Sequence, residues 1–211
     1  MVLFLAHPKH QQWQKCTAPQ LTPGDKGDMR TGPFGSALKH SEFVDSGIAV
    51  LGIDNAVTNR FRWAERRYIT EEKYKSLRRY TVRPHDVIIT IMGTTGRSSV
   101  VPADIPTAIS TKHLATVTLD RDKAHPEFLS NAIHRDPLVL AQIRAANRGA
   151  IMAGLNLGII KELQVHLPPM DLQRRFAAVV ARARAVGDKA ARDLAGHLFG
   201  SLTQRAFQGT M

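Results

Sequence analysis

The chain has 211 residues, 43% of them apolar, with 29 Lys and Arg against 18 Asp and Glu and a single cysteine. That size fits one domain of about 150–170 residues with an appendage, or two small domains, and excludes a large multidomain enzyme. A charged fraction of 22% excludes disorder, and a lone Cys16 without any C-x-x-C excludes a disulfide-stapled scaffold and a structural zinc site. A reducing cytoplasm fits best.

The longest apolar runs, Gly47 to Ile53 and Val87 to Gly93, hold seven residues each, far below the roughly 20 needed to span a bilayer. Met1 to Ala6 lacks a basic flank and is too short for an export signal. The formal charge of +11 and a pI near 10.3 point to a polyanionic partner, because clustered cations release phosphate counterions. A merely soluble basic surface is the competing reading.

In chain order, Gly47 to Ile53 reads as a buried strand bounded by turn residues. From Arg60 to Arg83 nine basic residues face three acidic ones, a net +6, interleaved with Phe61, Trp63, Tyr68, Tyr74 and Tyr80. Such a segment suits a phosphate backbone. The competing reading is a helix capped by Thr70, with Glu71 and Glu72 at the positive dipole end, Tyr74 and Leu77 on one face, and Lys73, Lys75, Arg78 and Arg79 as its solvated side. Pro84 ends that helix, Asp86 to Met92 forms a second buried strand, and Gly93-Thr94-Thr95-Gly96 makes a tight turn. Val100 to Pro102, Ala108 to Ser110 and Leu114 to Leu119 add short strands; Pro126 to Ile133 and Pro137 to Ala146 are helical. The fold class is α+β, with a curved, partly closed sheet rather than a doubly wound one.

After Leu167-Pro168-Pro169 no proline follows and alanine becomes frequent. A helix over 171–207 would be about 55 Å long. Leu172, Phe176, Val179, Ala183, Val186 and Ala190 recur at 4-3 spacing, then Leu194, Leu198 and Leu202 at fours, the pattern of a coiled-coil seam with a stutter. This stripe needs a second helix or the globular part, and its small residues favour a helix pair. No phosphate-binding or dinucleotide glycine loop, nucleophile elbow, ligand cluster or paired carboxylates stands out. His134-Arg135-Asp136 imitates a kinase catalytic loop but has Ala141 where the metal-binding Asn belongs.

Taken in order, several motifs resemble those of the specificity subunit of type I restriction-modification systems. Gly32-Pro33-Phe34-Gly35-Ser36 is similar to the family's opening G-P-F-G-S, and Gly47 to Leu51 to its G-I-P-V strand. His85-Asp86-Val87-Ile88-Ile89 resembles G-D-I-L-I with His85 in place of glycine, and Gly93 to Arg97 resembles G-T-x-G-R. Ile69 to Glu72, Gly154-Leu155-Asn156 and the Leu167-Pro168-Pro169 junction leading to Gln173 complete a set covering about Met29 to Val186, with Leu172 where Glu commonly precedes that Gln. The resemblance implies a target recognition domain over 1–168 and a helical spacer and dimerisation region over 169–211, a long C-terminal coiled-coil helix. Family members resemble two such units with antiparallel spacer helices; this chain holds one, so two copies would read two inverted half-sites.

The resemblance further implies a chain without catalysis or cofactor that reads duplex DNA. A separate subunit would use S-adenosylmethionine to methylate adenine, and an ATP-driven restriction subunit would translocate and cut. Lys39, His40, Arg60, Arg62, Arg66 and Arg67 would then neutralise phosphates or meet guanine edges. Asn55, Asn59 and Asn156 are candidate base readers or, equally, turn residues. Thr94, Thr95, Arg97, Ser98 and Ser99 lie on or after the glycine turn, where backbone can approach DNA or simply connect strands; Lys112 and Arg148 are further candidates. Leu172, Phe176, Val179, Ala183, Val186, Ala190, Leu194, Leu198 and Leu202 would form the dimer seam, with Arg174, Arg175, Arg182 and Arg184 solvated or facing the partner. The rival classes are a basic RNA-binding or ribosome-associated protein and a coiled-coil interaction protein with an incidental basic patch.

Overall fold

Short apolar runs with both faces buried need a layer on each side, and the chain supplies four. A computed structural model describes residues 12–63, 65–147 and 154–207, with side chains up to 190. Two four-stranded sheets stack at the centre. The first runs in the order β2 (Met29–Thr31), β9 (Leu114–Val117), β6 (Val87–Thr90), β7 (Ser98–Val100), antiparallel throughout. The second runs β4 (Arg67–Ile69), β3 (Ile48–Leu51), β8 (Ala108–Ser110), β5 (Thr81–Val82), with β3 and β8 parallel.

Alternation along each strand distributes the core. Val87 and Ile89 of β6, with Ala115 and Val117 of β9, pack under the helices; Ile88 and Leu114 turn the other way, against Ala49 and Leu51 of β3. Val50 and Ile109 point to the far face of the second sheet, covered by α1 (Glu71–Leu77) and the segment around Leu38 and Phe43. Thr70 caps α1 by accepting from Lys73 N at 3.1 Å. On the first sheet lie α2 (Pro126–Arg135), α3 (Pro137–Ala146) and α4 (Leu157–Glu162). The strands expected near 47, 86, 108 and 114 and the helices at Pro126 and Pro137 are all present; the strand expected at Val100 to Pro102 starts two residues earlier, at Ser98. A third, two-stranded sheet, β1 (Gln14–Thr17) with β10 (Gln164–Leu167), joins the two ends of the head.

His85 sits at φ 67°, in the left-handed region. The G-D-I-L-I pattern has glycine there, and backbone geometry supplies the reason: only glycine enters this region without a Cβ cost.

The final helix, α5 (Met170–Phe207), is continuous, and its first half is fastened to the chain's own head. Gln173 is almost fully buried; its amide donates to Pro168 O at 2.8 Å and accepts from His125 N at 2.8 Å. Phe176 meets Phe128 edge-on with centroids 5.5 Å apart, and Val180 is buried in the same cluster. Beyond these, Arg184 reaches Glu127 at 2.8 Å and Asn59 O at 2.7 Å, and Asp188 accepts both η-nitrogens of Arg60 at 2.5 and 2.7 Å. Two expectations are corrected here. Phe176 belongs to the intramolecular core rather than to a helix–helix seam, and Arg184 is neither solvated nor free for a partner. Leu172 is half-buried, whereas Ala183 and Ala190 are exposed, as are Val179 at 57% and Val186 at 69%. The side chains of Leu194, Leu198 and Leu202 lie outside the described residues. Among the described residues, no helix is long and apolar enough to cross a membrane.

Replacing His85 by glycine relieves the left-handed strain while keeping the hydrogen bond from its N–H to Val101 O. His85→Gly is expected to stabilise the fold by about 0.5–1 kcal/mol, after glycine's own entropy cost. Thermal unfolding would register this as a rise of about 1–4 °C; a fall in melting temperature would refute the strain.

Candidate nucleic-acid interface

Strand register gathers one set of strand ends on one side of the head. Leu51 of β3 lies beside Ser110 of β8, Thr90 of β6 opposite Leu114 of β9, and Ile89 opposite Ser98 of β7. The segments beyond these ends therefore emerge together: Gly32 after β2, Gly52 after β3, Met92 to Gly96 after β6, Lys112 and His113 before β9, and Arg66 before β4. Two glycines make the approach feasible. At Gly32 a Cβ would lie 2.2 Å from Ser110 O, and at Gly93 φ is 72°.

The β6–β7 turn is held from within. Thr90 Oγ1 donates to Thr94 O and accepts from Arg97 N at 3.0 Å, and Thr90 N donates to Arg97 O at 2.7 Å. Thr94 stays exposed and Thr95 and Arg97 half-buried, while Met92 bridges to Gly154. Phe34 at 49% and Met92 at 36% are exposed apolar side chains on this side of the head. Arg66 lies over Trp63, 5.2 Å from the ring centre, and Trp63 packs edge-on against Phe61 at 5.1 Å. Arg67 is held by Glu65 at 3.0 Å, and Arg62 and Lys112 are exposed. Lys39 and His40 are also exposed, the imidazole edge-on to Phe43 at 5.6 Å.

Several expected readers are instead structural. Asn55 is buried, accepting from Gly52 N at 2.8 Å and donating to Arg62 O at 2.7 Å. Asn59 is buried at φ 59° and donates to Ser98 O and Ser130 Oγ at 3.0 and 3.2 Å. Ser98 donates to Ser130 O at 2.6 Å, and Ser99 to Asn55 O at 2.8 Å, both fully buried. These four hold the 52–63 segment against β7 and α2, so none presents its side chain to a groove. Asn156 is exposed but caps α4, accepting from Ile159 N at 2.9 Å. Arg60 is committed to Asp188, a hydrogen-bonded contact that raises the guanidinium pKa further. Arg148 lies outside the described residues. Two groups missed from the sequence, Asp54 and His113, stand beside Arg67; no local pattern marks either, because chain reversal brings them there.

His134 supports the turn from below. Its Nδ1 accepts from Ser98 N at 3.1 Å, which requires the neutral ring, and Arg97 stands 3.5 Å from Nε2. Burial, then the charges of Arg97 and Arg135, push its pKa down to about 4.

No protein-family model and no curated protein matches this sequence. Solved structures do. The chain is similar to a chain from work on complex assembly and conformational transition of the type I R-M system, with a TM-score of 0.60 and 15% identity over 94% of this chain and 46% of that one. It is similar to the HsdS subunit from Thermoanaerobacter tengcongensis (TM-score 0.56, 16% identity, 94% and 46% covered). The S subunit of a type I restriction-modification system from M. genitalium gives 0.56, 15%, 92% and 44%. The fold is thus the one found in type I restriction-modification S subunits. This chain spans about half the length of each of those chains.

Because the folded state holds His134 neutral, the unfolded chain takes up the proton first as pH falls through 6.5. Stability is complete at neutral pH and declines toward pH 4, by about 2 kcal/mol at pH 5. His113 and His125, also lowered by burial, add in the same direction. Urea unfolding at pH 7 and pH 5 is expected to show this loss, with a smaller pH dependence in His134→Gln; an equal dependence in both would refute the assignment.

Proposed function

We propose that this chain is a half-length, non-catalytic specificity subunit that binds duplex DNA in a sequence-specific manner. It would direct a separate S-adenosylmethionine-dependent adenine methyltransferase and an ATP-driven restriction subunit to a bipartite site. The observation that carries this reading is the fold likeness, which runs over nearly all of this chain and just under half of each S-subunit-type chain. Residues 1–168 would form the recognition domain and 169–211 the spacer.

DNA contact falls to the exposed cations and the glycine turn: Lys39, His40, Arg62, Arg66, Arg67, Thr94, Thr95, Arg97 and Lys112. Charges in this setting supply affinity through counterion release, and base contacts supply sequence preference. Two copies would pair through the face of α5 that carries Val179, Ala183, Val186 and Ala190. That face is supported by its exposure on a helix whose other side is occupied by the head. At 100° per residue it lies roughly a third of a turn from the fastened face, so a second helix can dock without displacing the first contact.

Two measurements test this. Co-expression with a methyltransferase subunit, followed by mapping of methylated adenines, should yield a bipartite inverted motif that disappears when this chain is deleted; a motif that survives deletion would refute the role. Val179→Asp should convert a sedimenting dimer to a monomer while altering unfolding stability by less than about 0.5 kcal/mol, since it places a charge in the seam but on the monomer's surface. A dimeric Val179→Asp variant would remove that face from the interface.

A further inference from the structure

At the strand-end side of the head, a cleft of about 500 Å³ is walled by Gly52, Asp54, Glu65, Arg67 and His113. Its polar groups differ from the other cations near the helix, where Arg60 and Arg184 are each bound to an acid from a distant element. Arg67 bonds through Nη2 to Glu65, whose side chain is 76% exposed, a contact worth little in water. Nη1 of Arg67 lies against Gly52, 3.1 Å from where a Cβ would begin, and Asp54 Oδ1 lies 2.7 Å from the same point. The two groups thus flank one opening, and any side chain at Gly52 would close it.

The same strand end collects unsatisfied polar atoms. Asp54 Oδ2, Ser110 Oγ and Thr111 Oγ1 are all buried without a hydrogen-bond partner, and Thr111 N is bonded to Leu51 O directly before Gly52. Buried polar groups are normally paired, and departures from this concentrate where a ligand or function supplies the partner. The His113 pKa is lowered by burial and by the charges of Lys112 and Arg67, which leaves Arg67 as the one full positive charge among the residues walling the cleft, beside the carboxylates of Asp54 and Glu65, so the site is built for directional hydrogen bonds more than for net attraction.

We propose that this cleft reads one G·C base pair from the major-groove edge of duplex DNA, with Arg67 as donor to guanine O6 and N7 and Asp54 as acceptor for the cytosine amine. The inference rests on the DNA-binding reading above and assigns its specificity to named residues. In the major groove a G·C pair presents two acceptors followed by a donor, whereas an A·T pair presents acceptor, donor, acceptor and a methyl group. A guanidinium fork released from Glu65, beside a carboxylate, is the complement of the first order and not of the second.

The test is selection of bound duplexes from a randomised pool by the full-length chain, followed by competition binding, for wild type, Arg67→Lys and Asp54→Asn. Lysine keeps the charge and loses the fork. Arg67→Lys is therefore expected to relax one G·C position and weaken binding to the selected site on the order of 10- to 100-fold, with unchanged affinity for unrelated duplex. Asp54→Asn should relax the same position, with both variants melting as the wild type does. A motif untouched by either substitution, or a uniform loss across all sequences, would overturn the cleft assignment while leaving the DNA-binding reading in place. A wild-type chain that enriches no motif would overturn both.

Discussion

The head is organised around a charge pair held almost entirely out of water. Arg30 of β2 and Asp86, directly before β6, meet at 2.6 Å in the interior, and both side chains are almost wholly buried. Arg30 also donates to Thr81 O on β5, so the pair ties the first sheet to the second, while Thr118 Oγ1 and Arg83 N complete the shell of Asp86. Burial outweighs attraction for each partner, raising the carboxyl and lowering the guanidinium. Such a pair adds little net stability, yet removing one member strands the other at a cost of about 3–5 kcal/mol. It closes one end of the sheets. At the opposite end Gly32, Gly52 and Gly93 bring backbone together, and Asp54 Oδ2, Ser110 Oγ and Thr111 Oγ1 are buried without a hydrogen-bond partner.

The second constraint is the junction between head and helix. Gln173 spends both halves of its amide on Pro168 and His125, so the start of α5 is locked to the start of α2 by a side chain with no freedom left. Phe176, Val180, Arg184 and Asp188 continue the contact for four turns. A helix fixed in this way transmits orientation: the strand-end side of the head, where the proposed DNA contacts lie, holds a set direction relative to the helix axis. In a pair of copies, the distance between two reading ends would then follow from helix packing instead of from a flexible linker.

The cations divide by what the fold delivers to them. Arg30, Arg60 and Arg184 each receive an acid or a carbonyl from an element far away in sequence, and they act as fasteners. Lys39, Arg62 and Lys112 remain exposed, Arg66 packs on Trp63, and Arg67 has only a solvent-exposed glutamate. These cations carry charge that the interior does not consume, and exposed positive side chains of this kind favour contact with a polyanion.

What local pattern determines was readable without coordinates. Apolar runs at Gly47 and Val87 meant buried strands, the run at Leu114 a short one, Thr70, Pro126 and Pro137 marked helix starts, and the spacing from Val179 to Ala190 marked a stripe that the folded head leaves uncovered. These features follow from short-range sterics and side-chain periodicity, which act within a few residues. Tertiary structure alone decided that β1 pairs with β10 about 150 residues away, that Phe176 belongs inward and Val179 outward, and that Asn55, Asn59, Ser98 and Ser99 are interior braces. It also decided that Asp54 and His113 stand with Arg67. Each of those outcomes depends on which distant group is carried to a residue, and a linear pattern holds no information on that delivery.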